Sequence, residues 1–261
     1  MVFIKQRQST GPIKGLGFLI ILILVLPISI LNAKEKWALN TSLSYSTGKY
    51  IYESGVDNYT LYLGGRYSND KFSISMTVPF TMQRDNLDTL GTTNTSNSHM
   101  DSDHSITAGV SDVYLYSEYN LYRSFFVTGQ IKIPTSTGST LFSSGEFDYG
   151  IGLAFRKMYG TYKLFADAGY LVFGDPRQFS YDDPFVYGIG VAKHAKNGES
   201  SVSFYYQEYG RIISGLDPPR QFSVAYFRLI SKDVGISFYG SKGFGESSPD
   251  FAFSIGMDVT I

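Results

Sequence analysis

The sequence predicts an all-β protein, a transmembrane antiparallel up-and-down β-barrel of about 12 strands. Apolar side chains recur at every second position in a series of segments, which is the pattern of strands with two unlike faces. The connections between these segments alternate between short and long, as expected when tight turns lie at one end of a barrel and long loops at the other. After residue 33 no apolar run is long enough for a membrane helix, so a membrane-spanning interpretation rests on strands.

The final segment shows this pattern most clearly, and we expect it to close the barrel against the first strand. Its odd-numbered positions form an unbroken apolar row: Phe251, Phe253, Ile255, Met257, Val259 and Ile261. The even-numbered positions between them are small or polar. A length of about ten residues is what a tilted strand needs to cross the hydrocarbon layer of a bilayer. The apolar row is therefore predicted to face lipid.

The other strands follow from the same alternation. In chain order the predicted strands span residues 37–45, 59–67, 72–80, 113–121, 125–133, 147–155, 162–172, 185–191, 202–206, 222–226, 234–238 and 251–261. The short connections, predicted to be periplasmic turns, are 68–71, 122–124, 158–160, 194–199 and 231–233. The long connections, predicted to be outer loops, are 48–57, 83–105, 134–146, 174–184, 212–220 and 241–249.

Aromatic side chains lie at both margins of the apolar rows, as in the girdles of membrane barrels. Those near the short turns are Trp37, Tyr67, Phe72, Phe125, Phe155 and Tyr162. Those near the long loops are Tyr45, Tyr59, Phe80, Tyr170, Phe185 and Phe251. A soluble barrel or sandwich is the alternative, because it also alternates apolar and polar residues. That fold would crowd 21 tyrosine and 20 phenylalanine side chains into one interior, which disfavours it.

The N-terminal residues have the order of a secretory signal peptide. Three basic residues precede an uncharged apolar run at 15–31, and the small residue Ala33 follows it. The sequence thus predicts a cleaved signal peptide over 1–33 and an outer-membrane barrel domain over 34–261. An uncleaved membrane anchor is the alternative, and Pro27 within so short an apolar run disfavours it.

Composition excludes several classes of site. Cysteine is absent, which excludes disulfides, thiolate metal sites and a lipid-modified cysteine. Beyond the predicted signal peptide 19 basic residues stand against 23 acidic residues, a net charge of −4, so no basic field for nucleic acid is present. The 27 glycines favour strands over amphipathic helices, since glycine weakens a helix by about 1 kcal/mol per site.

Several stretches of the second half of the chain resemble a known family. They are GVSDVYLYSEYNL at 109–121, QIKIPTSTG at 130–138, SGEFDYGIGL at 144–153, DAGYLVFGDP at 167–176 and SPDF at 248–251. In these stretches the chain resembles the outer-membrane transporters grouped as the MetA-pathway of phenol degradation family. The resemblance implies a monomeric or weakly oligomeric barrel that passes small organic compounds, often aromatic ones.

The chain departs from such barrels at its last residue. They usually end in phenylalanine or tryptophan, whereas this chain ends in Ile261. Recognition by the barrel-assembly machinery is therefore expected either to be weaker or to rely on Phe251 and Phe253.

The inward rows give the predicted pore its chemistry. The predicted pore-lining residues are Arg66, Asp112, Tyr114, Tyr116, Glu118, Lys132, Asp148, Arg156, Lys163, Asp167 and Asp258, joined by Tyr62, Tyr205 and Tyr209. Lys132 and Asp148 are expected at the same height on neighbouring strands. Charged pairs of this kind either cross-link the wall or form a selectivity constriction, and the narrow lumen of a barrel of about 12 strands favours the wall role.

A second expectation concerns the narrowest part of the pore. Asp112 and Asp167 lie near mid-strand among Tyr114 and Tyr116. Carboxylates beside aromatic faces would hold a small aromatic solute by stacking and discourage anions. If a neighbouring cation such as Lys163 neutralises the carboxylates, selectivity is instead expected to be slight.

Metal and catalytic sites are not expected. His99 and His104, with Asp101 and Asp103 between them, have side chains that can bind metal, but a flexible polar loop rich in serine, threonine and asparagine is the favoured interpretation. His194 lies in a predicted short turn, so no histidine falls on a predicted strand, where serine–histidine catalysis would need one. No cofactor is expected, and the chain is not expected to be an enzyme.

The sequence therefore predicts an outer-membrane channel or transporter for small organic solutes, aromatic or hydrophobic ones included. The expected location is the outer membrane of a Gram-negative cell, reached through the periplasm. Expected partners are membrane lipid, the barrel-assembly machinery and a small-molecule solute. A non-transporting barrel that displays surface loops for adhesion or binding is the alternative. The 83–105 loop is long and polar enough for that role, but it has no repeat, aromatic cluster or strong charge.

Overall fold

A computed structural model describes residues 35–48, 56–85, 106–136, 144–176, 180–245 and 247–261. The predicted signal peptide lies outside these residues, as does most of the 83–105 connection. In chain order the strands are β1 (Lys36–Gly48), β2 (Val56–Ser68), β3 (Phe72–Asp85), β4 (Ile106–Val110), β5 (Val113–Tyr122), β6 (Phe125–Ile133), β7 (Asp148–Tyr159), β8 (Tyr162–Val172), β9 (Phe185–His194), β10 (Ser200–Tyr209), β11 (Arg220–Leu229), β12 (Val234–Phe244) and β13 (Phe251–Thr260). In this part of the chain no helix is long and apolar enough to cross a membrane.

The strands form one closed antiparallel barrel. Apart from β4 and β5, which both pair with β3, each pairs with its neighbours along the chain, and β1 pairs with both β2 and β13. The closing register runs from Ala38 opposite Thr260 to Thr47 opposite Phe251. β4 and β5 both pair with β3, so they share one position in the wall, and the 13 described strands occupy twelve positions. The predicted barrel of about 12 strands and its closure by the last segment are confirmed.

Contacts that skip a strand identify the inner face. Glu118 on β5 pairs with Arg156 on β7, although β6 lies between them. Tyr205 on β10 donates a hydrogen bond to Asp167 on β8 across β9. Side chains two strands apart can meet on the concave side of a curved sheet, so these residues face the lumen. The opposite rows, including Phe251, face outward, as the alternation predicted.

The outward aromatic side chains pair across neighbouring strands at both margins of the wall. Near the short turns, Trp37 packs on Tyr67 and Phe125 on Phe155, with ring centroids 5.0 and 5.3 Å apart. Near the long connections, Tyr45 packs on Tyr59 and Tyr170 on Phe185, with centroids 5.1 and 5.0 Å apart. The two aromatic girdles therefore lie where the sequence predicts them.

The wall departs from the predicted pattern at β4. The sequence predicts a strand that begins at Val113, whereas the structure adds β4 before it, paired with the outer part of β3. Ser111 and Asp112 separate β4 from β5, and the register against β3 shifts by one residue between them. Pro79 lies opposite this irregularity and accepts a hydrogen bond from the Ser111 N–H (2.9 Å). Because proline has no N–H to return, the ladder is interrupted here, and an extra residue forms a bulge.

Most strands are longer than the alternation indicates, and β12 and β9 show this clearly. β12 continues to Phe244, six residues beyond the apolar row that ends at Phe238. Gly240 and Lys242 interrupt that apolar row, yet the backbone pairing continues to Lys242 opposite Phe251. β9 includes His194, which the sequence places in a turn. The short connections lie at the predicted positions, and in the turn between β7 and β8 Gly160 has a φ of 61°, which glycine adopts readily.

Candidate pore and its lining

The lumen contains open space beside one half of the wall. A cavity of about 260 Å³ lies against the inner face of β5 to β10, and its lining includes Tyr116, Gln130, Arg156, Asp167 and Tyr205. Tyr116 points inward, yet 39% of its surface is exposed, and Tyr114 above it on the same row is 48% exposed. Inward side chains with this much exposed surface show that the interior is not filled by packed side chains.

Small inward residues on β9 make room for aromatic side chains on the neighbouring strands β8 and β10. On β9 the inward row contains Gly188 and Gly190. A Cβ on Gly188 would lie 2.4 Å from Cζ of Tyr205, and a Cβ on Gly190 would lie 2.4 Å from Cζ of Phe165. The two rings thus lie over bare backbone, and they stack on each other with centroids 5.7 Å apart. The glycines let the rings lie against the wall instead of projecting into the lumen.

Asp167 is the carboxylate that lines this cavity. The Tyr205 hydroxyl donates a hydrogen bond to Asp167 Oδ1 (2.7 Å). Gln207 Nε2 donates in turn to the Tyr205 hydroxyl oxygen (3.5 Å), and Gln221 Nε2 donates to Gln207 Oε1 (3.1 Å). Among the described residues no cation lies within ion-pairing distance of Asp167. The cavity lining therefore combines a carboxylate that has no ion-pair partner among the described residues with aromatic and amide groups and with the paired cation Arg156.

Arg156 and Glu118 form an ion pair at the end of the lumen nearer the short turns. The Arg156 guanidinium also lies over the ring of Phe126, with Cζ 4.9 Å from its centroid. A cation held by a carboxylate and an aromatic face is fixed in position. Lys163 is the neighbouring cation on the inward row of β8, and among the described residues it has no ion-pair partner.

A second charged network lies at the outer ends of β6 and β7. Lys132 Nζ lies 2.7 Å from Asp148 Oδ2 and 3.6 Å from Asp112 Oδ2, and it donates a hydrogen bond to Ser144 Oγ (2.7 Å). Asp148 Oδ1 accepts a hydrogen bond from the Gly174 N–H (2.9 Å). Lys132 and Asp148 lie directly opposite each other, as the sequence predicts. The network ties the connections after β6 and β8 to the barrel wall.

Asp112 belongs to this network and not to the lining of the cavity. Its side chain is 2% exposed, and Oδ1 accepts hydrogen bonds from the N–H groups of Thr135 (3.2 Å) and Ser136 (3.3 Å). The bulge between β4 and β5 places it there. The structure thus separates Asp112 from Asp167, which the sequence grouped in one narrow zone, because the alternation of residues does not reveal a bulge.

The remaining sequence-predicted residues occupy the inward rows as expected. Arg66 on β2 lies in register with Ala38, and Asp258 on β13 lies in register with Asn40. Their part in passage stays a prediction. Gln130 and Gln207 were not singled out from sequence, although their inward phase on β6 and β10 could have identified them.

The structure adds little to the histidine hypotheses. His99 and His104 lie outside the described residues. His194 is the last residue of β9, and its Nε2 has no hydrogen-bond partner in the described part of the chain. Within that part no group of three or more histidine, aspartate or glutamate side chains is arranged to hold a metal ion.

Comparisons with known proteins give structural matches alone. No family model matches the chain, and no curated protein matches it. The chain is similar to the COG4313 outer membrane channel from Pseudomonas putida F1, with a TM-score of 0.68 and 13% identity over 87% of this chain and 95% of that one. It is also similar to the CymD monoaromatic hydrocarbon channel, with a TM-score of 0.51 and 12% identity over 88% of each chain.

A third match belongs to a different functional class. The translocator domain of the autotransporter NalP from Neisseria meningitidis has a TM-score of 0.53 and 9% identity, over 94% of this chain and 95% of that chain. At such identities the likeness shows the fold, an outer-membrane β-barrel. The function has to be argued from the lumen itself.

Proposed function

We propose that this protein is an outer-membrane channel for small organic solutes. The observation that carries the proposal is the open cavity on the inner face of β5 to β10, lined by inward side chains that retain exposed surface. The outward apolar rows and the two aromatic girdles place the barrel in a membrane, with the cavity inside it. A closed barrel with an unfilled interior is built to let solutes cross that membrane.

The lining supports solutes that stack on an aromatic face and form hydrogen bonds. One side of the lumen presents the stacked rings of Phe165 and Tyr205 beside Asp167. The other side, from β12 through β1 to β3, presents mostly small side chains and hydroxyl groups on its inward rows, among them Ser237, Ser241, Ala252, Ser254, Gly256, Ser42, Ser44, Thr60, Ser75 and Thr77. The larger inward side chains on that side include Tyr62, Arg66, Tyr239 and Asp258. Compact residues on that side leave the width for a flat solute, and the sequence stretches that resemble the MetA-pathway transporters favour the same class.

The charges of the lumen assign ion preference to one residue. Lys132 is balanced by Asp112 and Asp148, and Arg156 by Glu118. Two charges on the inward row of β8 have no ion-pair partner among the described residues: Asp167, which lines the cavity, and Lys163, which lies nearer the short turns and outside the cavity lining. We therefore assign a preference for cations over anions to Asp167, because a fixed carboxylate beside the path attracts cations and repels anions.

Reconstitution in planar bilayers tests the proposal. We expect the wild-type barrel to conduct with a preference for cations, and Asp167→Asn to reduce that preference. Asp112→Asn is the matched control, since its carboxylate is buried in the wall. We expect this variant to keep the ion preference but to lose about 1–3 kcal/mol of folding stability with its charge-assisted hydrogen bonds.

Solute uptake supplies the second measurement. Liposomes that contain the wild-type barrel should take up a small neutral aromatic solute faster than liposomes without protein. A correctly folded, heat-modifiable barrel that neither conducts ions nor admits solute would remove the channel proposal. An ion preference that changes in Asp112→Asn and not in Asp167→Asn would show that the lining has been assigned to the wrong carboxylate.

A further inference from the structure

The outward face of the barrel carries one polar patch that solute passage does not use. The patch lies at the long-connection end of β9 to β12, and we call it the rim patch; its residues are Tyr187, Tyr206, Glu208, Arg220 and Lys242. All five lie on outward rows, in phase with the lipid-facing Phe204 and Phe222. Charges on a lipid-facing row are costly at the membrane midplane and are tolerated near its surface.

Glu208 forms the centre of the rim patch and is already occupied by hydroxyl groups. It lies directly opposite Tyr187 on β9 and Arg220 on β11. The Tyr206 hydroxyl donates a hydrogen bond to Glu208 Oε2 (2.8 Å), and the Tyr187 hydroxyl donates to the same carboxylate. The two tyrosines hold this carboxylate in place on the barrel exterior.

The two cations of the rim patch have no such close partners, although Arg220 lies near enough to Glu208 to interact with its charge. Among the described residues no carboxylate lies within ion-pairing distance of Arg220 or Lys242, and Arg220 Nε has no hydrogen-bond partner. Lys242 lies opposite Phe222, one step along the strands from the pair Arg220 and Phe244. This diagonal arrangement separates the two side chains by roughly 7–8 Å at the backbone, which two long cationic side chains can bridge around one anion.

The rest of the described outer rim shows that the rim patch is local. From β6 to β9 the outward residue nearest the long connections is apolar or aromatic: Ile133, Tyr149, Val172 and Phe185. On β2 and β3 the outward charges Asp57 and Arg84 lie directly opposite each other. Two cations beside a single, already occupied carboxylate thus occur together on β11 and β12 within the described rim.

We propose that the rim patch binds the phosphate group of a phosphorylated glycolipid in the outer leaflet. Arg220 and Lys242 would hold the phosphate, since an arginine and a lysine together offer donors and charge that suit it. Phe222 and Val224, 41% and 37% exposed, lie deeper in the membrane than Arg220 on the same outward row of β11, and they would contact the acyl chains. A second copy of the chain is a poorer occupant, because a two-fold contact at this patch would bring the cations of both copies together.

The proposal requires that the long connections face the outer leaflet, but it does not require that the barrel conducts. Lipid binding and conductance are measured separately, so failure of one leaves the other testable. A non-conducting barrel that binds the lipid through Arg220 and Lys242 would overturn the channel proposal and support this one.

Native mass spectrometry of the purified barrel, titrated with diphosphoryl lipid A, tests the inference. We expect lipid A to bind the wild type and the variant Arg220→Gln/Lys242→Gln to bind at least about tenfold more weakly, since each cation near a membrane surface contributes about 1 kcal/mol. Lys193→Gln is the matched control, because Lys193 is an outward lysine at the opposite rim, near the ring of Tyr162 (5.7 Å). We expect this control to bind as the wild type does.

The ligand series separates the possible sources of the anion. We expect the wild type and the double variant to bind lipid A with equal affinity once its phosphates have been removed. Equal binding of diphosphoryl lipid A by both proteins, or an equal loss in Lys193→Gln, would overturn the inference. Displacement of the lipid by millimolar inorganic phosphate would assign the patch to free anions instead. Lys242→Gln alone supplies the comparison if the Arg220 variant does not fold, because Lys242 is exposed at the rim.

Discussion

At the scale of single residues, the lumen is shaped by where side chains are missing. Tyr205 and Phe165 lie flat on the wall because Gly188 and Gly190 provide no Cβ beneath them. In a strand interior glycine usually weakens the structure, and it is found where another group approaches the backbone closely. Here the approaching groups are the two rings, so the glycines set both the width of the pore and the position of the aromatic faces.

Gly188→Ala tests this relationship. The new Cβ would lie 2.1 Å from the Tyr205 hydroxyl oxygen, so the ring has to move off the wall. We expect a lower single-channel conductance, together with the loss of up to about 1.5–3 kcal/mol from the hydrogen bond to Asp167. Gly240→Ala is the control, because a Cβ there faces outward and lies 3.9 Å from the nearest backbone oxygen. Unchanged conductance in Gly188→Ala would show that the ring does not limit the pore.

At the scale of strands, the alternation of residues predicts which face of the wall each side chain lies on, but it does not predict bulges or the ends of strands. Successive side chains of a strand point to opposite faces, so the residue type alternates with a period of two wherever the two faces have different surroundings. The lipid-facing rows, the turns and both girdles can be predicted from this alternation. The bulge at Ser111 and Asp112 depends on Pro79 in a neighbouring strand, a contact between residues far apart in the chain. The extension of β12 through Lys242 to Phe244 depends on a position at the rim, where a charged side chain does not end a strand.

The same distinction applies to the candidate site. The phase of the strands predicts that Asp112, Lys132 and Asp148 all point inward, and it predicts the pairing of the last two. It cannot predict that Asp112 is buried against the N–H groups of Thr135 and Ser136, because that contact depends on the bulge and on the connection after β6. Sequence thus identifies the side of the wall, whereas tertiary contacts decide which carboxylate remains in the lumen.

Arginine substitutions on β7 and β6 test the assignment of faces. Ile151 is outward, near the middle of β7, and 48% exposed, so Ile151→Arg should cost about 2–4 kcal/mol at the membrane midplane. Gln130→Arg is the inward counterpart, and we expect it to alter ion passage while the barrel folds normally. Gly152 is a poorer inward control, because any Cβ there would lie 2.8 Å from Ala168 O. Urea unfolding in lipid vesicles measures both variants; equal losses of stability would contradict the assignment.

At the scale of the whole molecule, the two rims of the barrel carry different charged groups. The rim near the short turns carries cations beside tyrosine rings, with Lys157 Nζ 5.3 Å from the Tyr159 ring centroid and Arg123 Cζ 5.0 Å from the Tyr122 ring centroid. The rim near the long connections carries the rim patch. The proposed lipid site depends on which rim faces outside, whereas the proposed channel does not.

Single-cysteine labelling on intact cells measures that orientation directly. The chain has no cysteine of its own, so each introduced thiol is the one reactive site. We expect Ser214→Cys, in the connection between β10 and β11, to react with a polymer-linked maleimide too bulky for the lumen, because long connections of a membrane barrel lie outside. Asn197→Cys, in the short turn between β9 and β10, should react after the outer membrane is permeabilised and not before. Both positions are exposed, so a difference in labelling reports the side of the membrane and not burial. Labelling of Asn197→Cys alone on intact cells would reverse the orientation and move the rim patch to the periplasmic leaflet.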